Sequence, residues 1–344
     1  MQKHAFALIC WLVVGTAACD DGISSASRLQ RLRLLAVQAE PPNPTVGQTT
    51  QLRPLVYIPP GESVTYEWSW CPVPTTSEEG YGCPVDQSRV DAIAAQAGIG
   101  EIPPLSLGTA ESIAFTNPFP PALLAKLCAG DSATTDLFTG RADAGKSRLV
   151  YSCSVATLPV QVMLAIRGST TTDTGVVSLR LPIDETTPGN HNPVMSGVSI
   201  SSPEPSRLLD ETGLASVPRN TKVKLLAGVD PSQAETYLDR QPGPNNDYVK
   251  NDAGQLVPVP VQERLTLSWF AEGGGFVDTT TSWSVQDLDS QGQAIPFEAV
   301  TLNTWTTPKI DDYAGVSSLV IVVARDSRGG VAWTQGVATL EDAP

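Results

Sequence analysis

Leu265-Thr266-Leu267-Ser268-Trp269-Phe270 places Leu265, Leu267 and Trp269 on one side of an extended chain and Thr266 and Ser268 on the other. Side chains of a strand alternate between its faces, so this period of two marks a strand with one face in a core. The first half of the chain repeats the pattern: Val64, Tyr66, Trp68 and Trp70 point one way, Thr65, Glu67 and Ser69 the other. Further short apolar runs extend outward from these two. In the first half they are Leu35, Val37 and Ala39, then Leu52 to Ile58, Val160 to Ile166 and Val177 to Leu181; Pro54, which lacks an N–H, pushes the second towards a sheet edge. In the second half they are Val194 to Ile200, Val223 to Val229, Val300 to Trp305, Leu319 to Ala324 and Val331 to Leu340. Leu319 to Ala324 is apolar on both faces, as a central sandwich strand is. The 28 glycines and 29 prolines lie among these runs as turn punctuation, which favours many short strands over long helices. The expected class is mainly β, with two antiparallel β-sandwiches in tandem.

The strand pattern stops after Cys71 and resumes near Val160, so residues 33–184 read as a sandwich with an insert at 72–147. Within the insert, Asp86 is placed to cap a helix carrying Val90, Ile93, Ala94 and Ala97, and a second helix carries Leu123, Leu124, Leu127 and Cys128 and stops at Gly130. The insert reads as a partly helical, disulfide-containing cap on the sandwich. Residues 185–192 are a polar joint with Pro and Gly, and residues 193–344 form the second sandwich.

At the N-terminus, Lys3 and His4 precede the apolar run Ala5 to Val14, followed by Gly15-Thr16-Ala17-Ala18-Cys19. That is the grammar of a signal peptide over residues 1–18, and the run is too short for a membrane span of about 20 residues. The small residues before Cys19 resemble the lipobox of bacterial lipoproteins, although Thr16 stands where leucine is usual. The resemblance implies lipidation at Cys19, a tether over 19–32 and a place in the cell envelope. The outer membrane or cell surface is favoured, with the periplasmic side of the inner membrane as the alternative suggested by Asp20. Arg28, Arg31 and Arg33 alternate with Leu29, Leu32 and Leu34; a solvated strand face is the simpler reading, contact with anionic head groups the other. Four cysteines then remain: Cys71, Cys83, Cys128 and Cys153. Pairing of Cys71 with Cys83 and Cys128 with Cys153 is preferred over Cys71 with Cys153 and Cys83 with Cys128. No C-x-x-C and no nearby histidine point to zinc.

With 36 acidic against 22 basic residues the formal charge is −14, which disfavours nucleic acid as a partner. After the signal region the chain has one histidine, His191, in the joint, and no G-x-S-x-G, H-E-x-x-H or P-loop pattern. No catalytic set stands out and no cofactor is implied. Calcium is the one candidate ion: Asp287, Asp289, Gln291 and Glu298, with Gly292, follow the spacing D-x-D-x-Q-G-x5-E, for which a polar hairpin turn is the competing reading. The long connection 231–263 holds Tyr237, Tyr248 and Asp239, aromatic and acidic residues suited to contact with a protein or glycan.

The run from Leu265 to Phe270, the glycines Gly273 to Gly275, Asn303-Thr304-Trp305-Thr306-Thr307-Pro308 and Arg325-Asp326-Ser327-Arg328-Gly329-Gly330 together resemble bacterial Ig-like or PKD-like surface modules. The first sandwich resembles them more loosely, through Gly47 and the strand Tyr66 to Trp70. The resemblance implies Ig-like sandwiches in a surface protein and implies no reaction. Trp269, Trp305 and Trp333 are expected in the core. The functional expectation is a non-catalytic, lipid-anchored envelope protein that binds an envelope or extracellular protein or a polysaccharide. A carboxylate-dependent glycan hydrolase and a structural spacer are the alternatives.

Overall fold

The computed structural model describes residues 26–72, 82–100, 102–128, 157–182, 189–202, 207–210, 212–213, 215–239, 257 and 259–342. The signal segment with Cys19, as well as Tyr248 and Cys153, lies outside them, so the second expected disulfide does too.

The first sandwich is built from β1 (Arg33–Glu40), β2 (Thr49–Tyr57), β3 (Thr65–Cys71), β4 (Ser106–Gly108), β5 (Ile113–Thr116), β6 (Thr157–Arg167) and β7 (Thr172–Pro182), with α1 (Gln87–Ala97) and α2 (Pro121–Cys128). One sheet has the order β1-β2-β5, the other β4-β3-β6-β7. The second strand thus lies between the first and fifth, and the sixth between the third and seventh. That is the strand order of an immunoglobulin-type sandwich.

The Trp68 and Trp70 side chains are wholly buried on β3, with Val64 and Tyr66 packed beside them. Their indole N–H groups need partners in an apolar core. Trp68 Nε1 donates to the Ala110 carbonyl at 2.8 Å and Trp70 Nε1 to that of Pro104 at 2.9 Å. Both acceptors come from the stretch expected to be a cap, and the same stretch sends Phe115 edge-on against Trp70 at 5.3 Å. The insert is therefore woven into the sandwich: β4 pairs with β3, β5 pairs with β2, and Phe115 and Phe119 complete the core. Its first helix starts where expected, with Asp86 accepting from the Arg89 N–H at 2.9 Å, and Gly98 closes its C-terminus at φ 63°. Cys71 and Cys83 form a disulfide that ties β3 to the approach of this helix. Pro54 does not put β2 at an edge: the strand lies between β1 and β5, and Pro54 stands opposite Val37 of β1, just past Leu52 where the pairing to β5 ends.

The second sandwich contains β8 (Met195–Ser202), β9 (Arg207–Leu209), β10 (Ala215–Pro218), β11 (Lys222–Val229), β12 (Thr236–Asp239), β13 (Val259–Gln262), β14 (Leu265–Ala271), β15 (Gly275–Phe276), β16 (Thr280–Trp283), α3 (Glu298–Thr301), β17 (Leu302–Thr306), β18 (Ser317–Arg325) and β19 (Val331–Glu341). Its sheets run β10-β19-β18-β14-β16 and β15-β17-β11-β8-β9, again an Ig-like order, with β12 and β13 as a separate hairpin. Trp269 and Trp305 are fully buried between the sheets. Trp333 is the exception to the expected core set. It lies on the outer face of its sheet, with the Arg53 guanidinium of the first sandwich 5.3 Å from its ring centre.

That outer face explains the doubly apolar β18. Val320, Val322 and Ala324 enter the core of the second sandwich, while Ile321 and Val323 point away from it and are buried against Leu35, Ala36, Leu55 and Tyr57 of the first. A register shift between Leu34 and Ala36 makes this possible, because the bulge turns Leu35 away from the face that Val37 and Ala39 present to their own core. The expected tether is also part of this interface. Ser27 and Leu29 are buried, Leu29 N–H donates to the Ala271 carbonyl at 2.8 Å, and Ala271 N–H donates to that of Ser27 at 2.9 Å. Arg33 lies over Phe270 at 5.3 Å, so it faces the second sandwich.

Ile321→Ala is expected to cost about 2–4 kcal/mol in urea unfolding of the full ectodomain, the range for a buried large-to-small change. A loss within about 0.5 kcal/mol, typical of a surface position, would show that the sandwiches do not bury this face.

Candidate functional site

The turn Arg325-Asp326-Ser327-Arg328-Gly329-Gly330 joins β18 to β19 and organises the region where the sandwiches meet. Asp326 Oδ1 accepts from the N–H groups of Arg328 and Gly330, both at 2.8 Å, which closes the turn on its own aspartate. Gly329 sits at φ 101°, a conformation other residues rarely adopt. At Gly330 a Cβ would stand 2.0 Å from Asp326 Oδ2 and 2.8 Å from the His191 carbonyl, so glycine here lets the joint lie against the turn. Asn190 is buried there and donates to both oxygens of Asp326, at 3.3 and 3.2 Å.

Arg328 reaches from the turn into the hairpin of β12 and β13. Its guanidinium donates to Glu263, whose side chain is wholly buried, and to Glu235, and it lies 4.9 Å from the centre of the Tyr237 ring. Glu235 N–H donates to Glu263 Oε2 at 2.9 Å, and His191 Nδ1 is 2.7 Å from Glu235 Oε1. Burial, with the nearby Asp326 charge adding, pushes the Glu263 carboxyl up to about 7; the bonds from Arg328 and Glu235 oppose the shift. Burial likewise raises Asp326.

Polar bonds also join the two sandwiches, at this turn and at the far end of β18. Arg325 donates to the Leu35 carbonyl, and Gln38 Nε2 to that of Val331 at 2.7 Å. Asn192 donates to the Ala39 carbonyl at 2.7 Å and accepts from Val331 N–H at 2.8 Å. Tyr57 Oη donates to Glu272 Oε1 and Tyr313 Oη to Glu272 Oε2, each at 3.1 Å. Burial, followed by the Glu272 charge, raises both phenols, Tyr313 to about 12, so they remain donors.

A half-open cleft of about 400 Å³ lies beside the turn, walled by Leu34 to Val37 of β1, by β7 from Gly175 to Arg180, and by Arg325, Ser327 and Gly329. Leu34 N–H donates to Asp173 Oδ2 at 2.9 Å, so β1 runs beside β7 without forming a ladder with it. Among the described residues Arg180, half-buried in this wall, has no ionic or hydrogen-bonded partner.

Of the residues singled out in the sequence, Tyr237 joins this region, stacked under Arg328, while Asp239 ends β12 opposite Val259. The calcium-spaced residues lie in a polar hairpin turn. Asp287 is held by Arg264 Nη1 and Nη2 at 2.8 and 2.7 Å and by Ser284 N–H at 2.9 Å; Asp289 Oδ1 accepts from Gln291 and Gln293 N–H, each at 2.8 Å. Gln291 is exposed and Glu298 begins α3. A calcium loop needs its oxygens turned to one centre. These carboxylates face a guanidinium and their own backbone, and among the described residues no three His, Cys, Asp or Glu side chains converge. The sequence reading missed Glu263, Glu235 and Arg328 as a set. Charged residues flanking strands are ordinarily solvated, and nothing local marks these three as buried.

Because the folded pKa of Glu263, about 7, lies above its ordinary 4.5, the folded chain holds this proton more tightly than the unfolded one. Its contribution to stability is full below the ordinary value and is lost as pH rises through about 7. Glu263→Gln should therefore gain in melting temperature relative to the wild type as pH rises from about 5 to 7.5; a gap constant with pH would refute the assignment. Millimolar calcium, compared with EDTA in calorimetry, is expected to leave the melting temperature of the wild type unchanged.

No protein-family model matches the sequence, and no curated protein is similar to it. Among solved structures the chain is similar to murine CEACAM1b, with 7% identity over 90% of this chain and 99% of that one, at a TM-score of 0.21. It is also similar to the N-terminal Ig1-2 module of the Drosophila receptor protein tyrosine phosphatase DLAR, with 9% identity over 92% and 100% of the two chains, at 0.21. The Yersinia pseudotuberculosis adhesin InvE is similar at 9% identity over 88% of this chain and 58% of that one, at 0.16.

Proposed function

We propose that this chain is a non-catalytic, lipid-anchored protein of the cell envelope, exposed at the outer membrane or cell surface, whose two Ig-like sandwiches act as one rigid body that binds a protein partner. The observation that carries this reading is the interface itself: an apolar face from each sandwich, ringed by side-chain bonds, holds the cleft walls of both in fixed relation. A preorganised cleft binds without first having to order its walls. Attachment through Cys19 is supported by the lipobox-like end of the signal segment, and acyl chains contribute about 0.8 kcal/mol per buried methylene.

A protein is favoured over a polysaccharide by the placement of the tryptophans. Trp68, Trp70, Trp269, Trp283 and Trp305 are buried, and the Arg53 guanidinium lies over Trp333, so none of these offers an open ring to a sugar. The hydrolase alternative gains no support from the acids beside the cleft. Glu235 and Glu263 are bound to Arg328, and Asp326 to Asn190 and its own turn.

Expressed with its signal segment in a bacterial host, the wild-type protein is expected in the detergent phase of a Triton X-114 partition and Cys19→Ser in the aqueous phase. Wild-type protein in the aqueous phase would refute the anchor.

A further inference from the structure

The chain enters the fold at one end, and that end belongs to both sandwiches. Ser27 to Leu29 lie along Ala271, the last residue of β14, and Arg28 donates to the Asp312 carbonyl at 3.2 Å. Arg33, the first residue of β1, donates to the Ala26 carbonyl, and Tyr57, the last of β2, to Glu272. Gly168, after β6, lies against Leu32 and Glu62. The connections 58–64, 168–171, 272–274 and 307–316 therefore meet at the entry, and none exceeds ten residues. At the opposite end stand the Asp326 turn, the joint with Asn190 and Asn192, and the hairpin of β12 and β13. The disulfide at Cys71 and the start of α1 are there too, since Leu105 bonds both Trp70, near the end of β3, and Gln87. Although they follow one another in sequence, the sandwiches thus stand side by side.

Cys19 precedes Ala26 by seven residues, which reach at most about 25 Å when fully extended. β7 and β19, eleven residues each, span about 35 Å at a rise of about 3.3 Å per residue. The link is shorter than the body it holds, so the end with the Asp326 turn stays out of its reach unless the body lies flat. A body of formal charge −14 is repelled by anionic head groups, which favours the smallest contact. The entry end offers apolar tips for it: Val316 is 76% exposed, the most of any large apolar side chain among the described residues, and Ile310 51%. Lys309 has Asp311 and Asp312 beside it, so no basic patch sets the placement.

We infer that this short-loop end is the membrane-facing surface of the ectodomain, with Ile310 and Val316 at the phospholipid head groups of the leaflet that holds Cys19. The Asp326 turn, α1 and the hairpin of β12 and β13 point away from the bilayer, where a protein partner arriving from the aqueous side meets them first. This rests on the reading of Cys19 as lipidated and adds to it which face meets the membrane.

The test uses the full chain, expressed with its signal segment, purified in detergent and reconstituted into vesicles of phosphatidylcholine and phosphatidylglycerol. A dansyl amino acid is placed by amber suppression at Val316, Ile310, Leu288 or Val46, one site at a time. All four are exposed, and the last two lie at the opposite end, past Trp283 and Glu40. Flotation of the vesicles is read first, then quenching by a nitroxide carried on a lipid head group. In the floating fraction, quenching at Val316 and Ile310 should exceed that at Leu288 and Val46 severalfold. Equal quenching at the two ends, as for a body lying flat, would overturn the orientation and leave the anchor standing. So would stronger quenching at Leu288 and Val46, or quenching at none of the four. Protein that does not float would refute the anchor itself and the orientation with it, so the two failures are read separately.

Discussion

Ile321 and Val323 have nowhere in their own sandwich to go. Their neighbours Val320, Val322 and Ala324 already fill the core side of β18, and the pleat turns alternate residues outward. Left in water, two such side chains and Phe270 would form an apolar patch at the centre of a sheet. The first sandwich covers them with Leu35, Leu55 and Tyr57, and only the bulge in β1 allows Leu35 to join while Val37 stays inside. Much else is positioned by this contact. It brings the Arg325 guanidinium onto the Leu35 carbonyl, sets Trp333 against Arg53, and places the turn after β18 beside β7.

The charged groups at the turn play a different part from the apolar face. Enclosing Glu263 and Arg328 costs desolvation that their attraction barely recovers, and such pairs are often replaceable by apolar residues without loss. Their geometry is directional, however. Arg328 meets Glu263 and Glu235 on the hairpin while its own backbone N–H is held by Asp326, and Asn190 ties the joint to the same carboxylate. Apolar faces can slide; this set has one arrangement that leaves its members hydrogen-bonded. Burial raises the Glu263 carboxyl even against the bonds from Arg328 and Glu235, the mark of a group enclosed at a cost.

What the sequence made legible was whatever repeats locally. The period of two in Leu265 to Trp269 and in Val64 to Trp70 located the central strands, and Asp86 marked the start of the first helix. What it concealed depends on contacts distant along the chain. β4 and β5 have three and four residues, too short for an alternation to show, so the insert read as a cap although it supplies both sheets. Trp333 alternates like a core residue but faces outward, because the face it occupies is a core only when the other sandwich is present. The aspartates of the calcium-like spacing show the same divide: their intervals were legible, but spacing does not say where oxygens point, and the pairing of Arg264 with Asp287 was not.

The cleft has one wall from each sandwich, and this couples its existence to their docking. Leu34 to Val37 and β7 belong to the first; Arg325 to Gly329 belong to the second. A ligand touching both walls binds only the docked form, and by mass action it must stabilise that form as much as docking favours the ligand. The Asp326 turn stands at the junction of the two effects: its carboxylate holds the joint through Asn190, and its backbone closes the end of the β7 edge at Ser178. Loosening the joint therefore need not touch the cleft floor to weaken what binds there. It would act by lowering the fraction of molecules in which the second wall is in place.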